Sequence, residues 1–181
     1  MSEIKIYDKF LSPIEYSIIR DEIMSEQWSW EFSDKITTVH DQGADYGQFV
    51  KVLYMFNIGR RKEFQIIEPI IAKIHDVGDS NEIAILRAKI NCNPKLENVV
   101  QLGDYHNDFQ FDCHTAIYYL TDSNGPTKFA NGEVVDCVSN RLIIFPSHMK
   151  HCGFSCSDSL RRVVVNINYL PLYHGYKKDE D

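Results

Sequence analysis

His114-Thr-Ala-Ile-Tyr-Tyr-Leu120 is a run of β-branched and aromatic residues that ends in the turn-forming stretch Asp122-Ser-Asn-Gly-Pro126. Such a run, bounded by turn residues, predicts a short strand. The same alternation repeats through the second half of the chain, with predicted strands at residues 133–138, 141–145 and 162–170 and a further turn at Asn131-Gly132. Upstream, residues 49–56 and 83–92 are equally rich in branched and aromatic side chains and predict two more strands. Two helices complete the pattern. Ser12-Pro13-Ile14-Glu15 has the form of a capping box with proline at the first helical position, and Ile14, Ile18, Ile19 and Ile23 read as one apolar face of a helix ending near Trp28. Phe64, Ile67, Ile70, Ile71 and Ile74 predict a second helix from about Arg60 to His75, closed by Gly78 and Asp79. Helices first and strands afterwards predict an α+β, mainly β fold, with N-terminal helices packed on one face of an antiparallel sandwich or barrel.

The chain has 181 residues, 44% hydrophobic and 12% aromatic, which suits one domain with a full core. Helical support elements are expected at about 12–76, the strand-rich core at about 83–170 and a tail at 171–181, with disorder confined to Lys177–Asp181. A net charge of −7, with no Lys/Arg run longer than a pair, disfavours a nucleic-acid partner. No apolar run approaches membrane-spanning length, and Met1 to Tyr7 lacks the features of a secretory signal, so a cytoplasmic location is expected. The five cysteines are odd in number and irregularly spaced, as for reduced thiols. Cys152 and Cys156 with His148 nearby lack the paired C-x-x-C knuckles of a zinc site. Oligomeric state is left open.

Chemistry concentrates at Tyr105-His106-Asn107-Asp108. In extended chain, residues i and i+2 face the same side, so His106 and Asp108 converge on a common point. His151, after the apolar residues Leu142 to Phe145 and their turn, supplies a third ligand from a distant strand. Two histidines and one carboxylate on one face of a metal leave the other face open, the arrangement of non-haem iron(II) oxygenases. Asp104 and Asp112 stay open as alternatives to Asp108, whereas His40, His75, His114, His148 and His174 read as structural or solvated. Arg161-Arg162 opens the last strand. Alternation puts Arg162, Val164, Asn166 and Asn168 on one face and the better packing surface on the other, so Arg162 is the interior candidate unless the register slips to Arg161. A guanidinium inside a largely apolar barrel needs a carboxylate partner and suits a clamp on one end of a dicarboxylate.

His106-Asn-Asp108, Thr115-Ala-Ile-Tyr-Tyr-Leu120, Asn140-Arg-Leu-Ile-Ile-Phe-Pro146, His151 and Arg162, in that order, resemble the prolyl-4-hydroxylase-like branch of the iron(II)/2-oxoglutarate-dependent dioxygenases, including short phage-encoded members. The likeness runs from about Ile85 to Tyr169. It implies a double-stranded β-helix, a cupin-like jelly roll. It also implies iron held by His106, Asp108 and His151, with dioxygen and 2-oxoglutarate as cosubstrates and ascorbate as an optional auxiliary. By the same likeness, the 5-carboxylate of 2-oxoglutarate meets Arg162 and the hydroxyl of Tyr119, with Tyr118 as core packing; the opposite assignment of the two tyrosines stays open. The implied activity is a hydroxylase that couples oxidative decarboxylation of 2-oxoglutarate to C–H hydroxylation, a prolyl residue of a peptide or protein being one substrate class. A non-catalytic jelly-roll binding module and a nucleic-acid-oxidising dioxygenase are the alternatives. One departure stands out: Asn93-Pro94 occupies a place where many relatives carry Tyr-Pro. The aromatic stretches Trp28-Ser-Trp30 and Tyr46 to Phe56 read as core or lid.

Overall fold

Arg161–Leu172 is the longest apolar strand of the second half, and the rest of the fold is arranged around it. In the computed structural model, residues 4–34, 47–56, 59–77 and 82–172 are described. The expectations for His40, Tyr46, Gly78, Asp79, His174 and Lys177–Asp181 lie outside them. An eight-stranded sheet runs in the order β1 (Lys5–Tyr7), β10 (Arg141–Pro146), β7 (His114–Tyr119), β12 (Arg161–Leu172), β5 (Glu82–Pro94), β3 (Gln48–Met55) and β2 (Glu31–Ser33), with β4 (Gly59–Arg60) paired to β3. A four-stranded sheet has the order β6 (Gln101–His106), β11 (His151–Phe154), β8 (Ser123–Phe129) and β9 (Val134–Cys137). All their pairings are antiparallel. The mainly β, α+β expectation holds.

Period-two alternation along β12 divides the molecule into layers. Val163, Val165, Ile167 and Tyr169 enter the larger core, which also holds Ile19, Ile23, Ile67, Ile70 and Ile74 from the helical segments. Each fully buried aliphatic side chain there contributes about 1.5–3 kcal/mol. Val164 instead joins a second core with Ile117, Tyr119, Phe129, Ile143 and Phe145, between the two sheets. The helices therefore cover one face of the large sheet and the small sheet covers the other.

The helical elements depart from expectation in three ways. α1 spans Pro13–Met24 with the Ser12–Glu15 capping box in place, and it stops at Ser25 rather than near Trp28. Ile19 and Ile23 are buried, but Ile14 and Ile18 are 72% and 58% exposed. At about 100° per residue, Ile19 lies roughly 140° around the helix from Ile14, so the four isoleucines do not share a face. The second helical segment is composite: a 3-10 helix at Lys62–Ile67 leads into α2 at Glu68–Val77. Pro69 has no N–H to give to Gln65, so the incoming turn cannot continue as regular α-helix. Trp28 packs in the large core with Trp30 against it, and the strand Gln48–Met55 lies in the sheet beside β5.

Candidate metal and cosubstrate site

β6 ends at His106, and Asp108 sits in the bend immediately after it. β11 begins at His151, whose cross-strand partner is His106. The antiparallel register thus brings the two imidazoles together, with ring centroids 4.8 Å apart. Ligating atoms of His106, Asp108 and His151 all lie within 4.8 Å of one another. His151 Nε2 stands 3.8 Å from Asp108 Oδ2. Adjacent ligands on a metal with bonds of roughly 2.1 Å stand roughly 3–4 Å apart. Among the described residues this is the one such cluster of histidine, cysteine and carboxylate groups.

Hydrogen bonding prepares each ligand. His106 Nδ1 meets the Asp104 carbonyl at 2.9 Å and His151 Nδ1 meets the Met149 carbonyl at 3.2 Å. A carbonyl only accepts, so both Nδ1 atoms carry the proton and both Nε2 lone pairs are free. Burial pushes His151 down to about 4 against the pull of Asp108, leaving a neutral imidazole at neutral pH. Burial would raise Asp108, but the charges of His151, Arg87 and Lys89 and the Asn168 amide outweigh it and hold the carboxyl well below the usual range. Arg87 Nη2 donates to Asp108 Oδ1 at 2.5 Å. Thr115, Asn166 and Asn168 donate to Oδ2 at 3.1, 3.2 and 3.0 Å. A tautomer-fixed His pair beside an ionised carboxylate is the donor set that a divalent transition metal takes, so the residues fit iron(II). Asp104 and Asp112 are exposed, outside the cluster. His148 is exposed too, and Cys152 and Cys156 are buried free thiols, with Cys152 Sγ on the Leu102 carbonyl.

The cluster opens into a cavity of about 540 Å³, counting the part open to solvent, which runs between the sheets to Arg162. Arg162 is 3% exposed, yet no carboxylate of the described residues pairs with it. Its Nε donates to the Gly125 carbonyl at 2.8 Å and its Nη2 to Thr127 Oγ1 at 2.9 Å. A buried guanidinium held by neutral acceptors and facing a cavity calls for an anion. Arg161 lies on the other face, its Nη2 on the Met24 carbonyl. Tyr119 is fully buried behind this arrangement, its ring 5.6 Å from the guanidinium. Its hydroxyl donates to Thr127 Oγ1 at 2.8 Å, so Thr127, not Tyr119, lines the cavity. Tyr118 packs in the helix-side core.

Asn93, the departure noted in the sequence, lines this cavity, and so do residues with no motif to mark them. β5 contributes Lys89, Asn91 and Asn93 to the cavity wall, two residues apart, and β3 contributes Gln48. Only the i, i+2 spacing along β5, once its inward face is known, could have pointed to Lys89 and Asn91.

The fold and the His–Asp–His cluster together define a class: a jelly roll of the kind found in 2-oxoglutarate-dependent oxygenases, with a metal-competent cluster at the mouth of its cavity. The viral collagen prolyl hydroxylase from Paramecium Bursaria Chlorella virus-1, solved as a 2-oxoglutarate complex, superposes with a TM-score of 0.57 at 12% identity, over 94% of this chain and 97% of its own. A 2OG-Fe(II) oxygenase family oxidoreductase from Burkholderia pseudomallei gives 0.65 at 13% identity, over 93% and 85%. HygX from Streptomyces hygroscopicus, with nickel and 2-oxoglutarate bound, gives 0.58 at 11% identity, over 95% and 84%. No protein-family model and no curated protein matches the sequence significantly.

Proposed function

We propose that this chain is an iron(II)- and 2-oxoglutarate-dependent oxygenase that couples oxidative decarboxylation of 2-oxoglutarate to hydroxylation of a C–H bond. The observation that carries this reading is the single cavity joining the His106–Asp108–His151 cluster to the buried, carboxylate-free Arg162. A metal site alone fits many functions; a metal site and an anion-seeking guanidinium in one cavity fit a 2-oxo dicarboxylate. Iron with 2-oxoglutarate and dioxygen supplies the oxidising chemistry. The chain's residues do the binding and orienting. His106 and His151 present Nε2, Asp108 presents a carboxylate fixed by Arg87 and three neutral donors, and Arg162 takes the far carboxylate. The Thr127 hydroxyl, already accepting from Arg162 and Tyr119, keeps its own proton to donate to the same group. Phe129 and Phe145 pack against His151 and keep water from its back.

The prolyl hydroxylases among the structural neighbours support a prolyl residue of a peptide or protein as one substrate class, and one of them, from Trichoplax adhaerens, was solved with a peptide fragment bound. The test is succinate formation from 2-oxoglutarate by purified protein with iron(II) under air, beside His106→Ala and Arg162→Ala. Turnover lost in both variants supports the oxygenase. Iron and 2-oxoglutarate binding with no turnover across a peptide and small-molecule panel would replace it with the binding-module reading.

A further inference from the structure

Lys89 lines the cavity, and its ammonium has no hydrogen-bond or ion-pair partner among the described residues. The strand register locates it. On the β5–β12 ladder, Asn93 faces Arg162, Asn91 faces Val164, Lys89 faces Asn166 and Arg87 faces Asn168. Four residues of strand, roughly 13 Å, therefore separate the Lys89 rung from the Arg162 rung. The other end of the ladder belongs to Asp108, which accepts from Asn166, Asn168 and Arg87. Lys89 thus stands at the metal end of the cavity, where its charge acts on Asp108 and His151.

The charges of the cavity do not balance around it. Under the oxygenase reading, on which this inference rests, Arg162 pairs with one end of the cosubstrate. The divalent metal is matched by Asp108 and by the carboxylate next to the 2-oxo group. Arg87 is already bonded to Asp108 at 2.5 Å. Asp108 is thus shared between the metal and Arg87, which leaves positive charge in excess at this end, and Lys89, half-buried, is the cation there with no anion of its own among the described residues; a desolvated ammonium is costly unless it is paired. Beside it, Asn166 Oδ1 is buried and has no hydrogen-bond partner among the described residues. An ammonium has three protons, so one can serve that amide oxygen while the others serve an incoming group.

We infer that Lys89 is a second carboxylate-binding cation, at the metal end of the cavity. Two molecules could bring the carboxylate: the 2-oxo acid itself, through the group beside its oxo carbon, or the compound to be oxidised. A five-carbon diacid is roughly 5 Å long by standard bond lengths. With the two long side chains reaching inward from rungs roughly 13 Å apart, it can bridge Arg162 and Lys89. The same spacing also leaves room for a second, separate carboxylate at Lys89.

The experiment measures binding by calorimetry to manganese(II)-loaded protein under nitrogen, for wild type, Lys89→Met, Lys89→Arg and Arg162→Met, each shown by circular dichroism to be folded. The probes are 2-oxoglutarate, 2-oxopentanoate, which lacks the far carboxylate, and acetate added to 2-oxoglutarate-saturated protein. If the carboxylate belongs to the 2-oxo acid, Lys89→Met weakens 2-oxopentanoate at least about tenfold, Lys89→Arg restores most of it, and Arg162→Met changes only 2-oxoglutarate. If it belongs to the other molecule, 2-oxo acid binding is unchanged in Lys89→Met while acetate binding is lost. If Lys89→Met leaves both 2-oxo acids unweakened, and acetate binding is unchanged by it or absent from the wild type, the inference is overturned. Failure of wild type to bind any 2-oxo acid would sink the oxygenase reading. Acetate titrated without 2-oxo acid then decides Lys89 separately: binding lost in Lys89→Met sustains it, and binding absent or unchanged overturns it.

Discussion

The acid–base behaviour of His151 links the site to the stability of the whole chain. Its folded pKa of about 4 lies below the ordinary 6.5, so between those values the unfolded chain binds a proton that the folded one refuses. Stability conferred by the neutral imidazole is full above about pH 6.5 and falls as pH drops towards 4, by about 3 kcal/mol in all. Denaturant titrations of metal-free protein across that window should show the loss, and His151→Gln should flatten it; a slope unchanged in the variant would mean that other groups carry it. Thr127 makes a second residue-scale case, because its hydroxyl accepts from both Tyr119 and Arg162. Thr127→Val leaves two buried donors unserved and should cost about 1–3 kcal/mol and weaken 2-oxoglutarate binding, whereas Tyr119→Phe removes one donor and should cost less. Equal effects on cosubstrate affinity would return Tyr119 to direct contact. The sequence showed the tyrosine through its place in a motif. Thr127 had no such mark, because its role comes from a strand crossing that no local pattern encodes.

At the scale of elements, every predicted strand is present, from the long apolar runs of β7, β10 and β12, where packing against two cores and local propensity agree, to the four residues of β9. The first half of β8, Ser123-Asn-Gly-Pro126, is made of strand-averse residues and reads from the sequence as a turn. The strand pairs with β9 through an irregular register between Ser123 and Thr127, and such an irregularity tolerates both a proline and a glycine. Gly125 is there for a steric reason. A Cβ at that position would stand 2.4 Å from the Ser155 carbonyl oxygen and 2.8 Å from that of Phe154. The carbonyl of Gly125 is also the acceptor that anchors Arg162 Nε. Gly125→Ala must push β8 away from the segment after β11 and move that anchor. We expect a loss of about 1–3 kcal/mol together with a several-fold weaker affinity for 2-oxoglutarate. A variant of normal stability with intact cosubstrate affinity would show that β8 can shift without disturbing the guanidinium.

For the whole molecule, the site is divided between two sheets, which a few direct bonds already join, Arg87 to Asp108 at one end and Arg162 to Gly125 and Thr127 at the other. His106, Asp108 and His151 come from the small sheet and its edge, while Arg162, Arg87 and Lys89 come from the large one. The order of motifs along the chain made the three candidate ligands and Arg162 legible, but not the charged wall of β5, whose inward face depends on pairing with β12. A metal and a dicarboxylate that bind only when both sheets are in register should stabilise the native state through mass action. At a free ligand concentration of a hundred times Kd the gain is about 2.7 kcal/mol, which for a chain of this size raises Tm by about 5–10 °C. Melting curves with iron(II) under nitrogen, with and without 2-oxoglutarate, should therefore rise in two steps. His106→Ala should lose both steps and Arg162→Ala only the second, because the guanidinium is not among the candidate metal ligands. A second step that survives in Arg162→Ala would place the far carboxylate elsewhere in the cavity, and Lys89 would be the first residue to examine.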